Sequence, residues 1–488
     1  MFTLLRRRLA SRSAISSAFI VTVGTVAGQA VLLAITPFIT RLYSPHEMGL
    51  YSLFIACVGI FSVTVSLHYE LAVPLPKYEG IAKQVGYLAF WVAVGLSIAV
   101  GGTFFLFRRA VFTSLDAPEL ANIAWCITPV LFLTGLVSIL SIWCLRVKEF
   151  PTTAVSKVMQ GGTQSVSQLA LGMISPTVGS MIAGQIIGLC SCAMVLSRTL
   201  PSNVAGDLFL RGRRRRLGAV ARRYRGFPQY STFSSLINAA SAHLPVMLLS
   251  VLYGAEVTGL FALSYRVLQV PLRLVGQSIS QVLLSRAAEM ARGGTLGRTT
   301  GPLLVFLWSA AFPIFLIGGI IAPALFALAF GEPWREAGMY ARYLMPWMLA
   351  LFVSSIMSVL IGVVGRQKEE LRLNVVYLTL VLTSLSVGAV VRSPTSSMIG
   401  LGFVGLIFMI GKCVWILNIS GAEIFSSIRR CVVETLFSAW LPVLAIVLWY
   451  KEPSDGVTVA VGVAAAAAAM AITYSRRDMF LSELKATP

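Results

Sequence analysis

The chain has 488 residues, of which 57% are hydrophobic and 12% are charged, and its mean hydropathy is +0.82. Soluble domains carry about 25% charged residues, because charge keeps their surface hydrated. This composition excludes a set of soluble domains and indicates a chain whose surface mostly faces lipid. The formal net charge of +20 indicates either a nucleic-acid partner or a membrane topology, and its distribution along the chain decides between them.

Apolar runs of about 20 residues, long enough to cross ~30 Å of hydrocarbon as helices, recur along the whole chain. Backbone in lipid must satisfy its own hydrogen bonds, so runs of this length predict helices rather than barrel strands. The first run is too long for a cleavable signal and predicts a retained helix. In chain order, the fourteen predicted spans are 14–39, 48–75, 84–107, 120–145, 152–174, 176–197, 229–252, 257–285, 302–330, 337–364, 372–391, 397–418, 433–450 and 456–474.

Lysines and arginines are distributed unevenly among the loops that join these spans. With a cytoplasmic N-terminus, most of the 39 basic residues fall in the termini and the even-numbered loops, and the densest group is RGRRRR at 211–216. This bias follows the positive-inside rule, so both termini are predicted to be cytoplasmic and the charge needs no nucleic-acid partner. The basic loop is predicted to anchor on anionic headgroups, with a docking site for a partner as the alternative.

An internal repeat divides the chain. Residues 42–53 read LYSPHEMGLYSL and residues 252–263 read LYGAEVTGLFAL. Both segments join the first two spans of a set of six, and an even number of spans gives the two sets the same orientation, as in a parallel repeat. Without gaps, the positions that recur are Leu42, Tyr43, Gly49, Leu50 and Leu53, as Leu252, Tyr253, Gly259, Leu260 and Leu263.

The predicted fold is therefore an all-α polytopic membrane protein with about 14 transmembrane helices. Two six-helix bundles, related by a parallel pseudo-two-fold repeat, are followed by two C-terminal helices. The predicted boundaries are 1–198 for the N-terminal bundle, 199–228 for a basic cytoplasmic linker, 229–418 for the C-terminal bundle, and 419–488 for helices 13 and 14 with a cytoplasmic tail. Folds of this kind hold substrate between their halves and work by alternating access.

Several segments carry a family resemblance. TPFITRLYSPHEMGLYSLF at 36–54 and YELAVPLP at 69–76 resemble the opening of bacterial O-antigen and exopolysaccharide flippases of the multidrug/oligosaccharidyl-lipid/polysaccharide superfamily. The resemblance continues through 224–254, 259–283 and 330–344. It implies a non-enzymatic flippase of the bacterial inner membrane, which moves an undecaprenyl-diphosphate-linked oligosaccharide to the periplasmic leaflet. Membrane lipids, a polysaccharide polymerase and glycosyltransferases are the implied partners, and H⁺, Na⁺ or the membrane potential is the implied drive.

Ionisable groups inside spans are costly and are functional candidates by default. In helix eight, Arg266 lies about 14 Å deep at 1.5 Å per residue, and Arg273 follows on the same helical face. Gln277 extends this face, while Pro271 is expected to kink the helix between the arginines. Because guanidinium groups pair bidentately with phosphate oxygens, Arg266 and Arg273 are predicted to hold the diphosphate in a water-filled cavity.

Amides and hydroxyls suit sugar hydroxyls. Helix five carries a second polar stripe, and the facing surface of helix seven is expected to add Asn238. The predicted sugar-binding residues are Lys157, Gln160, Gln164 and Asn238, with Gln168 continuing the stripe. Lys157 has snorkelling to the interface as its alternative. Lys412 and Arg342 are expected to be interfacial or bundle-packing residues.

The motif residues of the first bundle are expected to shape the backbone. Arg41, Tyr43, Pro45 and Gly49 are assigned to the outer turn between helices one and two, where glycine permits close backbone approach. Glu70, Pro74 and Pro76 are placed at the inner end of helix two, with a salt bridge or ion coupling as alternatives for Glu70. His68 stands where the family often has arginine.

Enzymatic readings find little support. Gly411-Lys412 does not fit a phosphate-binding loop, and the three histidines are too scattered for a metal site, so no cofactor is predicted. A multidrug exporter or a lipid II flippase of the same superfamily is the alternative transporter. The alternative of another class is a scaffold for a polysaccharide-assembly complex.

Overall fold

The computed structural model describes residues 24–200, 214–438 and 455–475, and all regular elements in these ranges are helical. The termini of the chain, part of the basic run at 211–216 and most of the thirteenth predicted span lie outside them. The helices are α1 Gly24–Leu42, α2 Pro45–Ser62, α3 Glu79–Leu106, α4 Arg108–Ser114, α5 Ile127–Val147, α6 Phe150–Ile174, α7 Val178–Ser197, α8 Arg214–Arg223, α9 Thr232–Leu268, α10 Gln277–Arg292, α11 Leu296–Phe330, α12 Arg335–Met357, α13 Val359–Val364, α14 Gln367–Val390, α15 Pro394–Ile419, α16 Ile424–Ser438 and α17 Asp455–Ser475.

Each of the fourteen predicted spans overlaps one or more of these helices. In the part of the chain that the structure describes, nine helical stretches are long and apolar enough to cross a membrane. The chain is therefore a multi-pass membrane protein. Shorter 3₁₀ helices at Tyr69–Ala72, Pro118–Cys126 and Glu332–Trp334 complete the links between the long elements.

The second span is shorter than predicted. Helix α2 ends at Ser62, and the chain continues through turns and the 3₁₀ helix Tyr69–Ala72, whereas the apolar run predicted a helix to residue 75. Bonds to the residue three positions earlier, such as Leu67 N–H to the Thr64 carbonyl, satisfy part of this backbone. The segment can therefore stay buried without being an α-helix.

The seventh and eighth spans form one element with a sharp break. Helix α9 contains Gly254 at φ 81° and ψ −178°, a conformation outside the helical region. Only glycine adopts this backbone without a large steric cost. The break divides α9 into a first arm, 232–253, and a second arm, 255–268.

Two compact units make up the described chain, Met1–Gly259 and Leu260–Pro488. In the first unit, α6 packs along α7, and both α3 and α7 pack against α5. In the second, α12 packs against α11 and α15, while α16 and α17 pack against α11. The sequence predicted a linker at 199–228, which lies before the point where these two units meet. The predicted boundaries stay a prediction; they are 1–198, 199–228, 229–418 and 419–488.

The basic linker contributes a helix to the first unit. In α8, Val220 is buried in an apolar cluster with Val73 and Val85, and the ring of Trp143 closes the same cluster. Arg222 and the neighbouring arginines stay exposed. The helix is thus amphipathic, with one apolar residue fixing it to the end of α3 and its basic face free for solvent or headgroups.

Candidate functional site

The repeated motif forms a crossing between α2 and the second arm of α9. A Cβ placed on Gly49 would lie 2.6 Å from the carbonyl carbon of Ala255, and closer still to the carbonyl oxygen. A Cβ placed on Gly259 would lie 2.9 Å from the carbonyl carbon of Pro45, again closer to its oxygen. Any side chain at either glycine would force the backbones apart, since carbon atoms prefer separations of about 3.5–4.0 Å.

This crossing is symmetrical in the repeat. Gly49 and Gly259 are equivalent positions of the two motifs, and so are Pro45 and Ala255. Gly49 therefore packs on Ala255, which lies one helical turn before Gly259. In the same way, Gly259 packs on Pro45, which lies one helical turn before Gly49. A self-complementary contact of this kind is what local two-fold symmetry produces, so the two copies of the motif make the same contact with each other.

Tyr43 fixes the other side of the same turn. Its side chain is buried, and its hydroxyl donates to the Gln168 carbonyl oxygen at 2.8 Å. Burial raises the pKa of Tyr43 to about 12, so the hydroxyl keeps its proton and remains a donor. Arg41 in the same motif is exposed, and Pro45 is half-buried at the start of α2.

The glutamine stripe of α6 is partly used inside the first unit. Gln164 Nε2 donates to Gln185 Oε1 at 2.8 Å and to the Tyr51 hydroxyl at 3.2 Å, and Tyr51 in turn donates to the same Gln185 oxygen. Gln168 is buried and donates to the Met181 carbonyl. Sequence spacing placed these residues on one face, but that face contacts α2 and α7.

The remaining polar candidates of the first unit are accessible to different degrees. Lys157 and Gln160 are half-buried, and Asn238 on the first arm of α9 is exposed. These three side chains, unlike Gln168, keep part of their surface open to solvent or a ligand. Their predicted contact with sugar stays a prediction.

The arginine segment of the second unit is irregular. Arg266 is half-buried near the end of α9, Arg273 lies in the π-helical turn Leu272–Gly276, and Gln277 is exposed at the start of α10. Where a kink was expected, Pro271 has no N–H to donate to the residue four positions earlier, and the π turn follows it directly. Because the register changes here, the seven-residue spacing does not by itself place both arginines on one face.

The segment after α2 holds a strained polar pair. Leu67 and His68 adopt φ values of 48° and 56°, the left-handed region that L-residues avoid at a cost of roughly 1–2 kcal/mol each. His68 Nδ1 lies 3.2 Å from Glu70 Oε1. His68 Nε2 and Glu70 Oε2 are both buried without a hydrogen-bond partner among the described residues. Strain and unsatisfied polar atoms together are typical of functional segments.

The proline turn that follows this pair is held by a residue that the sequence did not single out. Arg146, at the end of α5, donates through Nη1 to the carbonyl oxygens of Val73 and Pro74, at 3.0 and 3.2 Å. Pro76 follows two residues later. The only sequence signal for Arg146 was its place in a basic loop.

A family match extends over most of these features. The sequence model of a family described as polysaccharide biosynthesis protein matches residues 38–339, which is more than half of the chain. This protein belongs to that family. No curated protein sequence matches the chain.

Solved structures share the fold. The lipid II flippase MurJ in an inward closed conformation has a TM-score of 0.70 at 11% identity, covering 95% of this chain and 99% of that protein. An inward-facing multidrug resistance MATE family transporter of the MOP superfamily has a TM-score of 0.58 at 13% identity, covering 82% and 94%. The Vibrio cholerae MATE transporter VcmN, as a variant, has a TM-score of 0.52 at 16% identity, covering 83% and 94%. The predicted fold class and family resemblance are confirmed.

The polysaccharide biosynthesis family match includes both copies of the repeated motif and ends at residue 339. The Gly49–Gly259 crossing, the His68–Glu70 pair and the segment from Arg266 to Gln277 all lie inside it. Helices α13 to α17 lie beyond it. The family relation therefore covers the candidate residues of both units.

Proposed function

We propose that this protein is a flippase that moves undecaprenyl-diphosphate-linked oligosaccharide from the cytoplasmic to the periplasmic leaflet of the bacterial inner membrane by alternating access. The observation that carries the proposal is the family match over residues 38–339. The lipopolysaccharide or exopolysaccharide pathway is the proposed setting. Glycosyltransferases supply the substrate and a polymerase consumes the product.

The charge of the candidate residues supports an anionic substrate. Arg266 is half-buried in a long apolar element, and a guanidinium there matches a diphosphate better than an organic cation. In this proposal Arg266 and Arg273 hold the diphosphate. Gln277, Lys157, Gln160, Gln164 and Asn238 are the proposed contacts for sugar hydroxyls, with Gln164 exchanging its present partners for substrate.

Lipid II is the second candidate substrate. MurJ is named as a lipid II flippase, and its TM-score of 0.70 exceeds those of the MATE transporters, 0.58 and 0.52. Lipid II and the proposed substrate both present a polyprenyl diphosphate and differ in the sugar. Arg266 and Arg273 would pair with the diphosphate of either lipid. An assay that distinguishes the two substrates must therefore compare lipids that differ only in the sugar.

The proposal also includes the energy source that drives flipping. H⁺ or Na⁺ is the proposed coupling ion, with Glu70 as the carboxylate that accepts it. The support is its buried Oε2, which has no partner among the described residues. Glu70 Oε1 faces His68 Nδ1 at 3.2 Å, which leaves Oε2 as the oxygen that a coupling ion would meet.

Transport in vesicles tests the proposal. Purified protein is reconstituted with a fluorescent undecaprenyl-diphosphate oligosaccharide, and a membrane-impermeant reductant reports how much substrate has changed leaflet. Wild type should flip this lipid faster than lipid II or an organic cation. Arg266→Gln should reduce the rate by at least tenfold, since hydrogen bonds to charged groups contribute about 1.5–3 kcal/mol.

The matched control is Arg372→Gln, which replaces an exposed arginine of α14. It should flip as wild type does. If the wild-type protein does not flip the lipid, the proposed function is wrong. If Arg266→Gln flips it at the wild-type rate at equal protein amounts, the assignment of the arginines is wrong.

A further inference from the structure

An apolar cavity with one cationic residue lies between α11 and α12 in the second unit. Its volume is 390 Å³, within the roughly 300–1,000 Å³ of pockets that hold small molecules. The surrounding side chains are aromatic or aliphatic with a single exception. The lining includes Phe312, Phe315, Leu316, Met345, Leu349 and the guanidinium-bearing Arg342.

Arg342 is held in place by backbone carbonyls. Its Nε donates to the Gly319 oxygen at 3.1 Å and its Nη2 to the Ile320 oxygen at 2.9 Å. Pro323 follows Gly319 by four residues and has no N–H, so the Gly319 carbonyl lacks its helical donor. Arg342 replaces that donor, which fixes the guanidinium at the cavity.

These bonds do not neutralise the charge. Among the described residues, no carboxylate oxygen lies within 4.0 Å of the Arg342 nitrogens. An uncompensated cation at membrane depth is costly and is found where an anionic ligand or a water-filled path meets it. The hydrogen bonds from Nε and Nη2 leave Nη1 as a donor for such a ligand.

The depth of the guanidinium restricts the kind of ligand. Arg342 lies about 10 Å from the start of its own helix α12 at Arg335, and Gly319 lies about 16 Å from the end of α11 at Phe330, at ~1.5 Å per residue. Both distances place the guanidinium inside a ~30 Å hydrocarbon layer and below its headgroups. A resident phospholipid keeps its phosphate at headgroup level. A phosphate at the depth of Arg342 therefore belongs to a lipid that is crossing the membrane.

We propose that this cavity is a binding station for a polyprenyl diphosphate lipid during its passage, with Arg342 on the phosphate and the aromatic and aliphatic lining on the adjoining isoprenoid units. The proposal rests on the proposed function, because it needs a lipid diphosphate to be moved. It adds a site separate from Arg266 and Arg273. It also gives Arg342, which the sequence placed among interfacial or bundle-packing residues, a direct contact with substrate.

Binding to detergent-solubilised full-length protein tests the site. The probes are undecaprenyl diphosphate, undecaprenol without phosphate, and phosphatidylglycerol. The variants are compared in an Arg266→Gln/Arg273→Gln background, which removes the other proposed diphosphate site. There Arg342→Gln keeps a donor for the Gly319 carbonyl but removes the charge, so it should weaken diphosphate binding by roughly ten- to a hundredfold and leave undecaprenol binding unchanged. Leu316→Trp fills the cavity and should weaken the binding of both polyprenyl probes.

The controls separate packing from ligand binding. Arg342→Lys keeps a charge and a donor and should retain more diphosphate binding than Arg342→Gln. Arg372→Gln should bind like wild type. If Arg342→Gln does not fold, the lysine and tryptophan variants decide. Wild-type diphosphate binding in a folded Arg342→Gln and in Leu316→Trp would overturn the site, and so would equal affinity of the cavity for phosphatidylglycerol.

The two proposals fail in different ways. If wild type flips lipid-linked sugar and both Arg342→Gln and Leu316→Trp flip it equally well, the cavity proposal is wrong and the proposed function stands. If wild type moves no lipid-linked sugar in vesicles, the proposed function is wrong, whatever the cavity binds.

Discussion

Replacing Gly49 by alanine perturbs the crossing of α2 and α9 at its closest point. The added Cβ would lie 2.6 Å from the Ala255 carbonyl carbon and closer still to its oxygen, so the two backbones must separate by more than about 1 Å to reach ordinary contact near 3.5 Å. Overpacking typically costs about 1–3 kcal/mol. We expect the upper end of that range, because the opposing atoms are backbone atoms that cannot change rotamer.

Denaturant unfolding in detergent micelles measures this cost. The matched control is Gly102→Ala in α3, where a Cβ would meet nothing within 4 Å; this variant should be as stable as wild type or more so, by about 0.5–1 kcal/mol. Gly259→Ala should be destabilised like Gly49→Ala. The double variant should lose less than the sum, because backbones that have already separated leave room for the second methyl group. Control-like stability of Gly49→Ala, or full additivity, would refute the crossing.

Three further predictions concern single contacts. Tyr43→Phe removes the hydrogen bond to the Gln168 carbonyl and should lower the free energy of unfolding by about 1 kcal/mol. Because burial raises the pKa of Tyr43 in the folded protein to about 12, the extra stability of the wild type should be constant below pH 10 and shrink between pH 10 and 12. Unfolding measured as a function of pH will test this. Gly254→Ala places a Cβ on a backbone at φ 81° and should lower the unfolding free energy by roughly 1–3 kcal/mol in the same assay. Val220→Asp should release α8 from its apolar cluster, since burial of a valine side chain contributes about 1.5–3 kcal/mol; faster tryptic cleavage at the arginines of α8 than in Val220→Ile would show it, and equal cleavage would contradict it.

The arrangement of long helices was predictable because lipid imposes one strong rule. Only an apolar run of sufficient length satisfies both the hydrocarbon and the backbone, so hydropathy placed every predicted span over at least one helix. Among the described residues, nine helical stretches are long and apolar enough to cross a membrane. It did not locate the end of α2. The residues after Ser62 are as apolar as a span, but Leu67 and His68 adopt left-handed backbone conformations, which hydropathy does not record.

The candidate residues were less predictable. Helical spacing shows which residues share one face of a helix, but it does not show which other helix packs against that face. Gln164 and Gln168 share the stripe that the sequence showed, yet α7 covers it, and their amides bond to Gln185 and to the Met181 carbonyl. Arg342 illustrates the opposite case. From the sequence it was expected to be an interfacial or bundle-packing residue. Its position beside the cavity depends on Pro323 in another helix, a relation that no local pattern contains.

Both copies of the repeated motif take part in the crossing, but the residue before the crossing helix has a different backbone conformation in each copy. Ser44 and Gly254 are equivalent positions, and both have extended ψ values, 161° and −178°, which turn the chain into the helix that bears the crossing glycine. Their φ values differ in sign, −70° and 81°. In the first copy Pro45 follows, and proline restricts its predecessor to the extended region; Ser44 also caps α2 through the Glu47 N–H. In the second copy Ala255 imposes no such restriction, and glycine allows the helix to continue with a break. The glycine contact is therefore the part of the motif that both copies keep, and the turn before it differs between them.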